Sequence, residues 1–490
     1  MSWVLGRLPI TRSKPSTAIL FQPRISHHCL TCVASPARHD EPFTNTSQRW
    51  IYVKFNRTEL QRVAAEAIQE DFCPDIVKLA EGGFNKDFLR SKNGCRAIAR
   101  IPTPIVGPPR YATASEVATM NFLRSILKVP VPKVLGYSTT PETPVGAEYI
   151  IMERVDGESL ASRWTSLRGE GVKDIMKQMA EMERKVFTYT FPGYVSLHHR
   201  NDIEGEPQIP VPVDDICVGP IAGCQFWHGT SSLDCMTSAA RREVLAFDKQ
   251  AKAQPRGRFL LPTPHDIDPS EQTSLLSTTP ILRHPDMTLS NTLLVPGTTQ
   301  IASIVDWQDT IIFPPFLQAG YPAFSKPQLR MEQANLYYTA ATGLHNDAHM
   351  DTLRIPHLRM RQYLFKQTGY PWDADFINLR AALVGITRPQ IWEAIKSGPC
   401  PVHFTESERE AALEEAKEWN ESEEVLSAVR NHLGIDLEGG TEPENYEWAS
   451  HANVQFRLKM LRQTEEGQRA LCWRNWPYKD DEDDNSPPPL

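Results

Sequence analysis

Apolar positions spaced by three and four run from Thr58 through Leu60, Val63, Ala64 and Ala67 to Ile68 and predict a surface helix starting near Thr58. Three short strand-like runs follow at Ile76 to Leu79, Lys86 to Leu89 and Ala97 to Ile101, with Glu81-Gly82-Gly83-Phe84-Asn85 as the turn between the first two. Helical spacing returns at Thr113-Ala114-Ser115-Glu116, turning Val117, Met120, Leu123 and Leu127 inward, and Glu148 to Val155 is again a strand pattern. Past Asp156-Gly157, helices are expected over Glu158 to Trp164 and over Gly171 to Phe187, the latter with Ile175, Met179, Met182 and Val186 on one face. Residues 191 to 270, rich in Pro, Gly and polar side chains, read as irregular. Two short buried strands, Leu293 to Val295 and Ile301 to Val305, flank Pro296-Gly297 as a hairpin. Helical periodicity then covers 327 to 344, 376 to 397, 406 to 433 and 447 to 465, with Gly434 as a stop, and no fixed repeat suggests a solenoid.

The hairpin sits inside a chemically marked stretch. Arg283-His284-Pro285-Asp286 precedes it, Asn291 opens its first strand, and Val305-Asp306-Trp307 leaves its second. Metal-assisted phosphoryl transfer requires this arrangement, because folding the hairpin carries Asn291 and Asp306 to one place. In that chemistry Asp286 accepts the proton of the attacking hydroxyl, while Asn291 and Asp306 hold Mg²⁺ against the phosphates of ATP. His284 braces the loop from behind. An ordinary buried hairpin with a chance His-x-Asp is the alternative.

His284-Pro285-Asp286 with Asn291, and Val305-Asp306-Trp307 in place of the protein-kinase Asp-Phe-Gly, resemble the aminoglycoside phosphotransferase branch of the protein-kinase-like superfamily. Ile304-Val305-Asp306-Trp307-Gln308, with Pro315-Phe316-Leu317-Gln318-Ala319 downstream, is similar to the fungal mitochondrial group called "altered inheritance of mitochondria", number nine. The likeness spans about residues 41 to 470. It implies an α+β, bilobal protein-kinase-like fold: a small N-lobe with an antiparallel sheet and a helix, and a larger, mainly helical C-lobe carrying the catalytic hairpin. The implied division is a transit peptide at 1–40, N-lobe and hinge at 41–155, C-lobe at 156–475 and an acidic disordered tail at 476–490.

The same resemblance assigns further positions. Gly82 and Gly83 would bring backbone N–H groups to the nucleotide phosphates, although a plain hairpin turn accounts for them equally well. Arg100 ends the strand where kinases place Val-Ala-Ile-Lys. A planar guanidinium can bridge phosphate oxygens but is no simple replacement for an ammonium. Glu116 would pair with that cation, or else form a capping box with Thr113. Glu153 and Val155, at the end of the hinge strand, would meet adenine through their backbones.

Composition narrows the setting. The 490 residues, 40% of them hydrophobic, can bury a large core. Net charge is −8, and no basic stripe interleaved with aromatics appears, so nucleic acid is not indicated as a partner. Residues 1 to 39 carry Arg7, Arg12, Lys14, Arg24 and Arg38 without an acid, the composition of a mitochondrial transit peptide. Nine scattered cysteines without framework spacing argue for reduced thiols, and Cys29-Leu30-Thr31-Cys32 lacks a second ligand pair for zinc. No apolar run approaches the ~20 residues of a membrane span. Three functions compete: phosphoryl transfer from MgATP to a small-molecule hydroxyl, a nucleotide-binding pseudokinase acting as a mitochondrial scaffold, and a protein kinase. The last is weakest, since neither Asp-Phe-Gly nor Ala-Pro-Glu follows Asp306.

Overall fold

A computed structural model describes residues 53–69, 78–81, 85–88, 97–102, 109–213, 215–220, 279–322, 328–367, 377–395, 399–400, 402–435, 446–464, 466, 469 and 473. The segment 1–40, Gly82, Gly83 and the tail 476–490 lie outside the described residues.

The small lobe begins with α1 (Arg57–Ala67), whose first turn is capped by Asn56 accepting from Thr58 N at 3.1 Å and Glu59 N at 3.3 Å. Strands β1 (Lys78–Glu81), β2 (Asn85–Phe88) and β3 (Ala97–Pro102) precede α2 (Tyr111–Ser125), then β4 (Val134–Ser138) and β5 (Tyr149–Glu153). They form one antiparallel sheet in the order β1-β2-β3-β5-β4, with β3 central. Strand alternation sends Ala97, Ala99 and Ile101 to a cluster with Leu60 of α1. Ile98 turns to the opposite face and packs on the main core, which includes Val117, Met120 and Leu123 of α2. Arg100 shares that second face by register, opposite Ile150 of β5.

Helix α2 starts at Tyr111, two residues before Thr113, so Thr113 is not its N-cap. Its hydroxyl donates instead to Glu148 Oε2 at 2.6 Å, and Arg110 N donates to Glu148 Oε1 at 2.8 Å. The capping-box alternative for Glu116 is thereby overturned: the carboxylate at the helix start comes from Glu148, far along the chain.

In the large lobe β6 (Glu158–Ser159) leads into a short α3 (Leu160–Arg163) and then α4 (Gly169–Thr188). The helix expected from Glu158 is shorter because Glu158 and Ser159 pair with Leu294 and Leu293, adding a third strand to the hairpin. Gly157 permits that approach, since a Cβ there would lie 3.0 Å from Leu293 Cβ and 3.2 Å from Leu294 O. The stretch after α4, expected to be irregular, contains a three-stranded antiparallel sheet of β7 (Ser196–His199), β8 (Ile209–Pro210) and β9 (Ile216–Gly219), with a 3-10 turn at Arg200–Ile203. These strands are two to four residues long and bury polar Ser196 and His198, so no apolar alternation announces them.

Next, β10 (Ile281–Leu282) enters the loop bearing Asp286, and β11 (Thr292–Leu294) and β12 (Ile301–Ile304) form the expected hairpin. Gly297 turns it at φ +72°. After β13 (Ile312–Phe313), which pairs with β10, the chain is helical: α5 (Pro315–Gln318), α6 (Gln328–His345), α7 (Asp347–Leu353), α8 (Leu358–Gln367), α9 (Ile377–Ile386), α10 (Pro389–Ile395), α11 (Glu406–Leu433) and α12 (Tyr446–Gln463). The single helix expected over 376 to 397 is two, broken ahead of Pro389, whose ring cannot continue an α-helix from its N-terminal side. Gly434 ends α11 at φ +65°, as its position suggested. No helix among the described residues is long and apolar enough to cross a membrane.

Candidate active site

The site is assembled on the hairpin β11–β12 and the loop before it. His284 is buried, and its two ring nitrogens have opposite roles. Nδ1 accepts from Asp286 N at 3.0 Å, and Nε2 donates to the Val305 carbonyl at 3.0 Å. An amide N–H can only donate and a carbonyl can only accept, so these partners assign a neutral ring with its proton on Nε2. Burial lowers its pKa, which keeps that form. Trp307 stands edge-on to the ring with centroids 4.4 Å apart and donates from Nε1 to the Ile304 carbonyl at 3.0 Å.

Asn291 closes the loop from the other side. Its Nδ2 donates to the Asp286 carbonyl at 3.0 Å, and its own carbonyl accepts from Val305 N at 2.9 Å. Val305 is thus held through both backbone groups, and the next residue, Asp306, takes φ +67°, a left-handed conformation uncommon for a side chain larger than glycine. Arg100 reaches this carboxylate from β3, with Nη1 3.1 Å from Asp306 Oδ1 and 2.5 Å from Glu116 Oε1. Glu116 and Arg100 are buried, while the Asp306 side chain is 37% exposed.

The expected residues Arg100, Glu116, Asp286, Asn291 and Asp306 are therefore linked in one place. Glu153 and Val155 lie at the end of β5, where Glu153 pairs with Ala97 at the start of β3. The Glu153 N–H is committed to the Lys133 carbonyl at 2.8 Å.

One set of residues was not anticipated. Arg283, immediately before His284, is anchored on buried Glu183 of α4 with Nε 2.8 Å from Oε1. Its Nη1 and Nη2 donate to the carbonyls of Gln318 at 3.2 Å and Gly320 at 2.9 Å. Tyr338 donates to the other Glu183 oxygen, and His349 Nδ1 lies 3.7 Å from it while Nε2 accepts from Gly320 N at 3.2 Å. Burial alone would raise the Glu183 pKa, but Arg283, His349 and the Tyr338 hydroxyl together outweigh it and hold the carboxyl below its usual range. Burial pushes His349 down to about 4. A sequence signal existed: Glu183 falls on the apolar stripe of α4, four residues after Met179, where a charge needs a partner.

A five-stranded small-lobe sheet with its helix, a hinge, and a larger helical lobe bearing this hairpin define a protein-kinase-like fold. The sequence model described as "APH: Phosphotransferase enzyme family" matches residues 75–317. The chain belongs to that family. The "Subtelomeric hrmA-associated cluster protein" of Aspergillus fumigatus is 54% identical over 86% of this chain and 100% of that relative. "Altered inheritance of mitochondria protein 9, mitochondrial" of Candida tropicalis is 29% identical over 30% of this chain and 26% of its own length. Among solved structures, the APH(2″)-IIa chain of a ternary complex with streptomycin and ATP matches with a TM-score of 0.37 at 13% identity, covering 66% of this chain and 94% of that one.

Proposed function

We propose that the protein transfers the terminal phosphoryl group of MgATP to a hydroxyl of a small molecule inside mitochondria. The observation that carries this reading is the Arg100 bridge. One guanidinium, 2.5 Å from Glu116 and 3.1 Å from Asp306, joins the small-lobe helix, the central strand and the hairpin at a single point. A phosphate-binding cation has to stand at such a junction. Asp286 would take the proton of the attacking hydroxyl. Asn291 commits its amide nitrogen to Asp286, which leaves Oδ1 as its ligand atom, and Asp306 offers a half-exposed carboxylate. These two oxygen donors suit Mg²⁺, which binds one or two protein oxygens and takes phosphate and water for the rest. When bound, the ion neutralises the phosphates and the charge that develops on them. The Glu153 carbonyl and the Val155 N–H would face adenine, and Gly82 and Gly83 the phosphates. The lobes would divide at 155/156, between a transit peptide at 1–40 and the acidic tail at 476–490.

Mitochondrial location draws support from the acid-free basic start of the chain and from relatives that bear the word in their names. A second reading, a nucleotide-binding scaffold, is favoured by one feature, arginine where a catalytic lysine is expected. Asp286→Asn separates the two. Phosphoryl transfer should fall by about 10²–10⁴-fold with MgATP affinity nearly unchanged, because the base acts on the acceptor and not on bound nucleotide. Asp306→Ala should lose the Mg²⁺-dependent part of thermal stabilisation by ATP. Full rescue of a deletion strain by Asp286→Asn at equal abundance would move the protein to the scaffold reading.

A further inference from the structure

The sheet β7-β9-β8 belongs to the large lobe by chain position, yet its contacts reach the small lobe. Tyr111, the first residue of α2, donates its hydroxyl to Glu206 Oε1 at 2.9 Å. Ten residues on, Asn121 donates from Nδ2 to His199 Nε2 at 3.0 Å, and His199 Nδ1 donates to Asp215 Oδ2 at 3.0 Å. Arg110, the N-cap of α2 at φ +76°, donates from Nε to the Asp202 carbonyl. Tyr137 of β4 donates to Asp202 Oδ2 at 3.0 Å. At its other end the sheet is rooted beside the hairpin exit. Val195 exchanges two backbone hydrogen bonds with Ile312, at 3.0 and 2.6 Å, six residues past Asp306. Val195 adopts φ +107°, which a β-branched residue keeps only where its surroundings over-determine it.

Helix geometry gives these grips a direction. At 3.6 residues per turn, five residues rotate a position by about 140°. Tyr111 and Asn121 each stand five residues from Glu116, one on either side, so both grips fall on the side of α2 turned away from Glu116 and lie about 15 Å apart along the axis. A helix held at two such points can neither roll nor slide without breaking one of them. The opposite side of α2 is where Glu116 meets Arg100.

We infer that residues 195–213 and 215–219 form a strap from the large lobe that holds α2 in the rotation bringing Glu116 onto Arg100, with His199 and Glu206 as positioning residues for the phosphate site. This inference rests on the proposed role of Arg100. The test uses the full chain and MgATP affinity by isothermal titration. Tyr111→Phe with Asn121→Ala removes both grips, and its effect on affinity should be about tenfold, the equivalent of one to two net hydrogen bonds. In a Glu116→Gln background the same pair should produce no further loss, because the strap acts through that carboxylate. Hydrogen exchange over 111–125 should quicken while α11 is unchanged. A tenfold loss that persists in the Glu116→Gln background, or unchanged affinity despite faster exchange in α2, would overturn the inference. Should the pair fail to fold, Tyr111→Phe alone keeps the ring, removes one bond and carries the same comparison with about a threefold expected loss. Arg100→Ala keeps the two ideas apart: if it too leaves affinity unchanged, the phosphate-site reading fails, whereas if it weakens binding and the strap variants do not, the strap alone fails.

Discussion

Arg100 is the residue whose replacement is most informative, because different variants separate its structural role from the phosphate contact proposed for it. Arg100→Ala takes the cation away from Glu116, which is only 5% exposed. Breaking a buried ion pair from one side costs about 3–5 kcal/mol, a large part of the ~5–15 kcal/mol that a protein of ordinary stability has. The contact with Asp306 adds little to that figure, since the Asp306 side chain is 37% exposed and water can replace the guanidinium there. Replacing both partners, Arg100→Met with Glu116→Leu, removes the desolvation cost together with the attraction and should leave stability within about 1 kcal/mol of the wild type. The double variant then folds without a cation at the proposed phosphate position. Urea denaturation measures the first effect and titration with MgATP the second. The expected result is a stable double variant that has lost most of its nucleotide affinity, beside Arg100→Lys, which keeps or improves transfer. A double variant as stable as the wild type that still bound MgATP with unchanged affinity would refute the assignment of Arg100 to phosphate.

Acid should destabilise the protein through two buried histidines, His198 and His349, each pushed to about 4 chiefly by burial. Their folded values lie below the ordinary 6.5, so the unfolded chain binds the extra protons, and stability that is full above about pH 7 falls as pH drops toward 4. At pH 5 the loss is about 2 kcal/mol for each, partly offset by Glu148 and Asp202, whose pKa values burial raises; a Tm unchanged between pH 7 and 5 would contradict it. His284→Ala should cost about 2–5 kcal/mol, because the Asp286 N–H and the Val305 carbonyl both lose a partner, and transfer should fall by more than nucleotide affinity does. A reporter fused to residues 1–45 should enter mitochondria, and Gln at Arg7, Arg12, Lys14 and Arg24 should stop it; a cytosolic reporter from the unmutated fusion would count against import.

The sequence disclosed the parts of the candidate site whose local structure depends on spacing along the chain. Asp286, Asn291 and Asp306 share a hairpin whose two apolar runs and Pro-Gly turn are visible in the letters, and α1, α4 and α11 follow their apolar period to within two residues at each end. It was ambiguous where partners are distant along the chain. Glu116 reads as a cap or as an ion-pair partner until Glu148 is seen to occupy the start of α2. The strands of 196–219 were not readable, because they bury a serine and a histidine and are defined by pairing with one another and docking on α2. Residues 158 and 159 carry helical spacing, but the exposed edge of β11 claims them as strand, a tertiary contact that outweighs local propensity.

The contacts run in one line from the core of the large lobe to Asp306 at the exit of the hairpin. Glu183 and the carbonyls of Gln318 and Gly320 fix Arg283 in three directions, the backbone passes from Arg283 to His284, and His284 holds both Asp286 N and the Val305 carbonyl. Asp306, held at φ +67° one residue further, is the end of that line. A buried ionic group contributes little net stability over an apolar pair of the same size, so stability alone does not account for Glu183 and Arg283. What an apolar pair cannot supply is direction: a guanidinium tied to one carboxylate and two carbonyls has a single orientation, and so does the loop that follows it. The neutral His284 then transmits that orientation through two hydrogen bonds with fixed donor and acceptor. Its lowered pKa keeps it from taking a second proton, which would turn Nδ1 from acceptor to donor and break its bond with Asp286. The positions of Asp286 and Asp306 are thereby set from behind, as the proposed phosphoryl transfer would require of them.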